Sequence, residues 1–353
     1  MKDNSAESAS NPSPGAARRD FIRQAVRVSA GLGTAAGTLF GGVDARTGAL
    51  GAGGAAAATA ASAPLKMAFI QWQPHTVPAA WSKGIEEVLK EQPSIQYKLL
   101  DGQNKVEVQV SLMEALISEG TSVIFLQPID SVALAPSINK AKRAEIPVIT
   151  LNIDASSEHA AHVEMSHYQG AMEIARVMGE RMGGKGEVAI LNAPPGIVIR
   201  DQRTNGFVDG MKKYHPGVSI VADQVADWSR KKAQDVFATI LAGRPTIRGV
   251  YGVNDSMALG AVDVAKDKAM VGKLVVFGND GEKDALESIE RGELTGTQYT
   301  DVYQQGRFAA ATATVLATGG VPATAFAAQG HLLMPYVIAT KETVGSIGAA
   351  QRW

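Results

Sequence analysis

The sequence contains no cysteine. That excludes disulfide staples, a thiolate metal site and a cysteine nucleophile, and it is compatible with an oxidising or a reducing compartment. Charge of one sign is also missing, since 34 Lys plus Arg stand against 35 Asp plus Glu. No basic field draws nucleic acid, so no nucleic-acid partner is expected. The mildly apolar run at residues 28–40 is too short and too rich in Gly and Ala to span a membrane. The phosphate loop GxxxxGK[ST], a GxGxxG following a strand, the GxSxG elbow and the HExxH pair are all absent. His159 and His162 lie three apart beside Glu158, but no third ligand follows at a standard spacing, so neither a metal nor a cofactor is expected. Without a recognisable nucleophile, base and orienting group, the chain reads as a non-enzyme.

What is present is a soluble chain of 353 residues, 45% apolar and 20% charged, long enough for two domains with separate cores. Its first 17 residues are polar and rich in Ser, Pro and Ala. Arg18, Arg19, Asp20, Phe21 and Ile22 follow, and the apolar run comes next, an order that predicts a twin-arginine export signal. The Ala- and Gly-rich tract at residues 48–63 predicts a flexible linker, with small-residue cleavage sites near Ala45 or after Ala63. The folded, exported part is expected from about Pro64.

From Leu65 onward, short Val- and Ile-rich runs alternate with segments carrying apolar residues at helical spacing. This is the pattern of βαβ units on parallel sheets, and two consecutive sets of them predict two doubly wound α/β lobes. Helices are expected at residues 78–90, 106–118, 131–143, 169–182, 200–214 and 229–241, and a polar loop is expected around His159, His162 and His167. Amides and carboxylates recur where strands end: Gln71 and Gln73 around Trp72, then Gln127, Asn152, Asp154, Asn192, Asn254, Asp280, and Gln298 or Thr300. In open α/β sheets ligands bind beyond the carboxyl ends of the strands, so these residues outline a polar cleft. Each of them alone also suits a helix cap or a turn. Trp72 and Trp228 add flat apolar faces, the combination that sugars and polyols need.

The series ITLN, RTNGF, NDSMALGA, VVFGNDG and LTGTQYT resembles the periplasmic sugar-binding proteins of ABC transporters, of the ribose-binding type, which are related to the ligand-sensing part of LacI-like repressors. The resemblance runs from Leu65 to about Thr340, and NDSMALGA is its most specific piece. No helix-turn-helix segment is read ahead of it, which points away from the repressor branch. It implies two lobes joined by three crossovers near Ser166, Thr300 and Leu332. The N-terminal lobe would take residues 65–165 plus about 302–330, and the C-terminal lobe 166–300 plus about 331–353. It further implies that Arg203 forks onto ligand oxygens, Trp228 stacks, and Asn254 and Asp280 accept or donate hydrogen bonds. Asn152 stands where the family usually has Asp, with Asp154 two residues on, and Thr300 stands where Gln is common. Trp72 and His75 would serve from a first loop that departs from the family's Asn-Pro-Phe-Phe type. The function implied is an exported monomer that captures a monosaccharide or polyol and delivers it to ABC permease subunits in the periplasm. A receptor for a non-sugar solute, a ligand-presenting sensor and a twin-arginine-exported enzyme remain as alternatives.

Overall fold

The computed structural model describes residues 64–319 and 330–353. Residues 1–63, where the export signal and linker are expected, lie outside them. Two six-stranded sheets form two α/β lobes. The first contains Leu65–Gln71 (β1), Ile95–Asp101 (β2), Val123–Leu126 (β3), Val148–Leu151 (β4), Ala161–Met165 (β5) and, from the end of the chain, His331–Met334 (β11). Their order is β11-β5-β4-β3-β1-β2, parallel throughout. The second contains Lys185–Asn192 (β6), Gly217–Val225 (β7), Ile247–Gly252 (β8), Val275–Asp280 (β9), Gly296–Thr300 (β10) and Tyr336–Thr340 (β12). Their order is β12-β10-β9-β8-β6-β7, and only β12 runs antiparallel to its neighbour.

Helices cover both faces of each sheet, which is why the strands are nearly continuous apolar runs rather than alternating ones. Along β1, Met67 and Phe69 join one core with the helix Thr76–Leu89 (α1), while Ala68 and Ile70 join another with Val106–Ser118 (α2) and Ala135–Arg143 (α3). Trp81, Ile85 and Leu89, four residues apart, form the buried stripe of α1. The second lobe carries His167–Arg181 (α4), Val198–Tyr214 (α5), Arg230–Gly243 (α6), Asp255–Asp267 (α7) and Lys283–Glu290 (α8) around a single large core.

The chain passes between the lobes at Ser166, Asp301 and Pro335. After Asp301, the helix Val302–Ala317 (α9) returns to pack on α1. The two helices touch backbone to backbone at two glycines: a Cβ on Gly84 would lie 2.1 Å from Tyr303 O, and one on Gly306 would lie 2.1 Å from Trp81 O. Trp81 Nε1 donates to Gln305 Oε1 at 2.6 Å across the same contact. Trp353 packs against the cores of both lobes, and its indole donates to Thr300 O at 3.1 Å beside the second crossing.

Three local expectations change. The loop expected around His162 is strand β5, where Ala161, Val163 and Met165 are buried. The helix expected from Ser131 begins at Ala135, because the Asp130 carboxylate accepts from Val132 N and Ala133 N, both at 2.8 Å, and holds residues 131–134 in a turn. The last lobe boundary, expected near residue 331, falls at Pro335, since His331–Met334 pairs in parallel with β5.

Candidate functional site

The strand ends meet in a cleft between the lobes. From the first lobe it is lined by Trp72, Gln73, His75, Val77, Pro78, Gln127 and Asn152, and from the second by Ile199, Arg203, Trp228, Asn254 and Asp280. Each polar residue except Arg203, which lies in the second turn of α5, is at or just past a strand end or at a helix start, where the backbone turns outward from the sheet.

Arg203 anchors the second-lobe wall. It is 2% exposed, and its guanidinium reaches Asp280 Oδ1 at 2.5 Å, Val253 O at 2.7 Å and His167 Nδ1 at 3.2 Å. Accepting from Arg203 requires a neutral imidazole at His167, and burial together with the nearby guanidinium holds its pKa well below the ordinary histidine range. Asn254 combines two uses. Its Oδ1 caps α7 by accepting from Met257 N at 2.9 Å, while the residue still borders the cleft.

The next residue, Asp255, is fully buried and builds the Asp280 loop. Its Oδ2 accepts from Gly281 N at 2.7 Å and Glu282 N at 2.8 Å, and its Oδ1 accepts from Thr297 Oγ1 at 2.6 Å. Burial, with Asp280 and Glu282 close by, drives its pKa well up. Glu282 joins the lobes: Oε1 accepts from Thr76 Oγ1 of α1 at 3.1 Å, and Oε2 from Ser256 Oγ at 3.4 Å. Its pKa is pushed up to about 7, first by burial and then by the Asp280 charge.

On the first-lobe wall Gln127 Oε1 accepts from the Trp72 backbone N–H at 3.1 Å, and the Trp72 indole donates to Asn104 Oδ1, so backbone and ring are each held by one bond. Gln109, fully buried, donates to Gln127 O at 2.8 Å and accepts from Ile129 N at 2.9 Å, which fixes the turn after β3. Asn152, Asp227, Trp228 and Asp280 have φ of 65°, 55°, 58° and 110°. Non-glycine residues in this region are held there by their surroundings, and such positions concentrate at ligand clamps. Asn152 Oδ1 and Trp228 Nε1 are buried polar atoms without a protein partner.

Eight of the expected residues therefore line one cleft: Trp72, His75, Gln127, Asn152, Arg203, Trp228, Asn254 and Asp280. Two do not. Asp154 turns away to the imidazoles of His159 and His331, at 3.1 and 3.2 Å, because the left-handed turn at Asn152 and the buried Ile153 reverse the chain before it. Thr300 is buried beside the second crossing rather than in the cleft, and Gln298, on the same face of β10, donates to Ser166 O at 3.3 Å and packs against Gly170. Gln73, expected from its place beside Trp72 among the strand-end amides, also borders the cleft. Asp255, His167 and Glu282 were missed as supports. Only Asp255 carried a signal, as a carboxylate in the first turn of a helix just ahead of the apolar run from Met257 to Val262. The cleft offers a cationic fork, a carboxylate, amides on both walls and two indoles, a set that bonds hydroxyls while covering C–H faces.

A family model described as a periplasmic binding protein domain matches residues 69–320. The ribose import binding protein of Bacillus subtilis (strain 168) is 32% identical over 218 residues, covering 61% of this chain and 69% of the relative. A xylitol-binding protein of Mycolicibacterium smegmatis is 30% identical over 196 residues, covering 55% of this chain and 56% of its own. Among solved structures, an ABC transporter periplasmic solute binding protein from Actinobacillus succinogenes 130z with bound D-allose has a TM-score of 0.73 at 27% identity, covering 80% of this chain and 99% of that one.

Proposed function

The chain belongs to the periplasmic binding protein domain family, and we propose that it is a solute-binding protein that captures a monosaccharide or similar polyol in its interlobe cleft. The observation that carries this reading is the buried Arg203–Asp280 pair in a cleft that also holds Trp72 from one lobe and Trp228 from the other. The pair presents donors and an acceptor already in place, so little ordering is left to the moment of binding. Asn152, Gln127 and Asn254 add amide contacts, and His75 borders the opening. The relatives named above bind ribose, xylitol and D-allose by their own descriptions, which supports a small polyhydroxylated ligand here.

The protein acts without catalysis, as a monomer that delivers its ligand to ABC permease subunits. Contacts from both lobes favour a hinge-closed form, and the membrane partner distinguishes that form from the open one. Export runs by the twin-arginine route to the periplasm, as the arginine pair at residues 18 and 19 supports.

The test is a thermal-unfolding screen of the purified protein against pentoses, hexoses, polyols and unrelated solutes. One polyhydroxylated ligand at a hundredfold over its Kd should add about 2.7 kcal/mol, a midpoint shift of a few degrees. Trp228→Ala should abolish the shift with that ligand. If amino acids or other solutes shift the midpoint and no sugar or polyol does, the substrate class is wrong.

A further inference from the structure

We propose that the first lobe carries a binding site for a divalent transition ion of the zinc class, formed by His162, Glu164 and His331 with Asp154 at its margin. The strands bring these residues together. In the parallel pair β5–β11 His331 stands directly beside His162, and Glu164 projects from the same face of β5 two residues on. Each can offer one ligand atom, and those atoms lie within 4.8 Å of one another.

The second observation is the hydrogen-bond arithmetic at His162, which is 1% exposed and whose Nε2 has no hydrogen-bond partner. The ring's other nitrogen, Nδ1, stands 2.7 Å from Thr150 Oγ1, which holds the imidazole in place. Nε2 faces Glu164 Oε2 at 3.2 Å without the alignment of a hydrogen bond. A buried nitrogen left unpaired costs free energy, and a cation between it and the carboxylate would satisfy both. Thr150, on the far nitrogen, stands where outer-shell partners orient the imidazole at histidine metal sites.

The spacings suit such an ion. Donors of a tetrahedral zinc site stand about 3.3 Å apart, given bonds of about 2.0–2.1 Å. The observed separations are 3.2 Å from His162 Nε2 to Glu164 Oε2 and 3.5 Å from His331 Nδ1 to Glu164 Oε1, while the other nitrogen of His331, Nε2, faces Asp154 Oδ2 at 3.2 Å, which places Asp154 as an outer partner of that ring. His331 is about half exposed, which gives an ion a way in. Two imidazoles with carboxylate select zinc, nickel or copper over calcium and magnesium, which prefer all-oxygen sets. A bound ion would tie β11 to β5 at His331, four residues before the chain crosses at Pro335, stapling the end of the first sheet near the hinge. Sequence spacing alone gives His159 and His162 without a third ligand because His331 arrives from the far end of the chain.

Chelator-stripped, untagged full-length protein titrated with zinc by calorimetry tests this, with cobalt added in parallel as an optical probe. One equivalent should bind, cobalt should give the intense visible bands of a four-coordinate site, and tenfold excess calcium should not compete. His331→Ala, on the edge strand β11, and Glu164→Gln, beside it on β5, should each weaken zinc binding by at least about tenfold. Their metal-free unfolding midpoints, matched to the parent, separate loss of the site from loss of the fold. Sugar binding is read on the same samples and should survive in both variants. Uptake below a tenth of an equivalent by the parent, or uptake that both variants retain, overturns the proposal.

Discussion

Breaking the Arg203–Asp280 pair is the most informative perturbation of the cleft. Arg203→Met keeps much of the side chain's volume but removes every donor. Asp280, 6% exposed, then holds a charge with no counterion, and Val253 O loses its bond from the guanidinium. Removing one partner of a buried ion pair costs about 3–5 kcal/mol, most of it from stranding the survivor. Asp280→Asn strands the guanidinium less completely, because Val253 O and His167 Nδ1 still accept from it. Its cost should be nearer 2 kcal/mol, in the range for one lost charge-assisted bond. The double variant should therefore be less destabilised than the sum, with a coupling of roughly 2 kcal/mol. Urea unfolding of the parent, the two single variants and the double variant measures the cycle. Arg203→Lys adds a second axis: it restores the charge but not the planar fork, so it should recover stability while ligand binding stays lost. A loss below about 1 kcal/mol for Arg203→Met, with effects additive within about 0.5 kcal/mol, would refute the view that these side chains form one buried unit.

Asp255→Ala leaves two backbone N–H groups and the Thr297 hydroxyl unpaired, and it should cost roughly 2–4 kcal/mol in denaturant unfolding and weaken ligand binding by loosening the Asp280 loop. Glu282 has its pKa raised from 4.5 to about 7, so the folded protein holds more protons than the unfolded chain in that window. Its contribution is full below pH 4.5 and lost as pH rises through 7, by about 3 kcal/mol at most. Stability of Glu282→Gln, followed from pH 4.5 to 8, should lack that part of the decline, and parallel curves for variant and parent would count against it. Gly306→Ala pushes a Cβ into Trp81 O and should cost about 1–3 kcal/mol by separating α9 from α1, whereas alanine at Gly243, where nothing lies within 4 Å, should be near neutral in the same unfolding assay.

The fold was legible because its signal is local and repeated. Short apolar runs such as VIFL and VITL, rich in β-branched residues and separated by segments of helical period, read as strands buried on both faces with their crossover helices. Where sequence reading failed, tertiary pairing decided. Strand β5, AHVEM, carries His162 and Glu164 and lies between His159 and His167 in a polar stretch, so its composition argues for a loop. It becomes a strand because β4 on one side and β11 on the other supply ladder partners. Pairing with β11 could not be read from spacing, since that strand lies at the other end of the chain.

The cleft was legible for the same reason that Asp154 and Thr300 were misplaced. A polar residue at or just past a strand's carboxyl end points into the crevice if the backbone continues outward, and Gln127, Asn152, Asn254 and Asp280 obey that rule, while Arg203 reaches the cleft from the second turn of α5. Asn152 obeys it, but its left-handed φ of 65° turns the chain, and the side chain two residues later faces the imidazoles instead. Thr300 fails because β10 ends in a lobe crossing rather than a βα turn, so its end leads into the hinge. The supports escaped for a different reason. Asp255 acts on residues 281, 282 and 297, and Glu282 on Thr76 of the other lobe, pairings that depend on strand order and lobe placement. One sequence pattern thus encodes two kinds of information at different ranges. Which side chains reach a ligand follows from position along each strand, whereas what holds those side chains follows only from which strands lie next to each other.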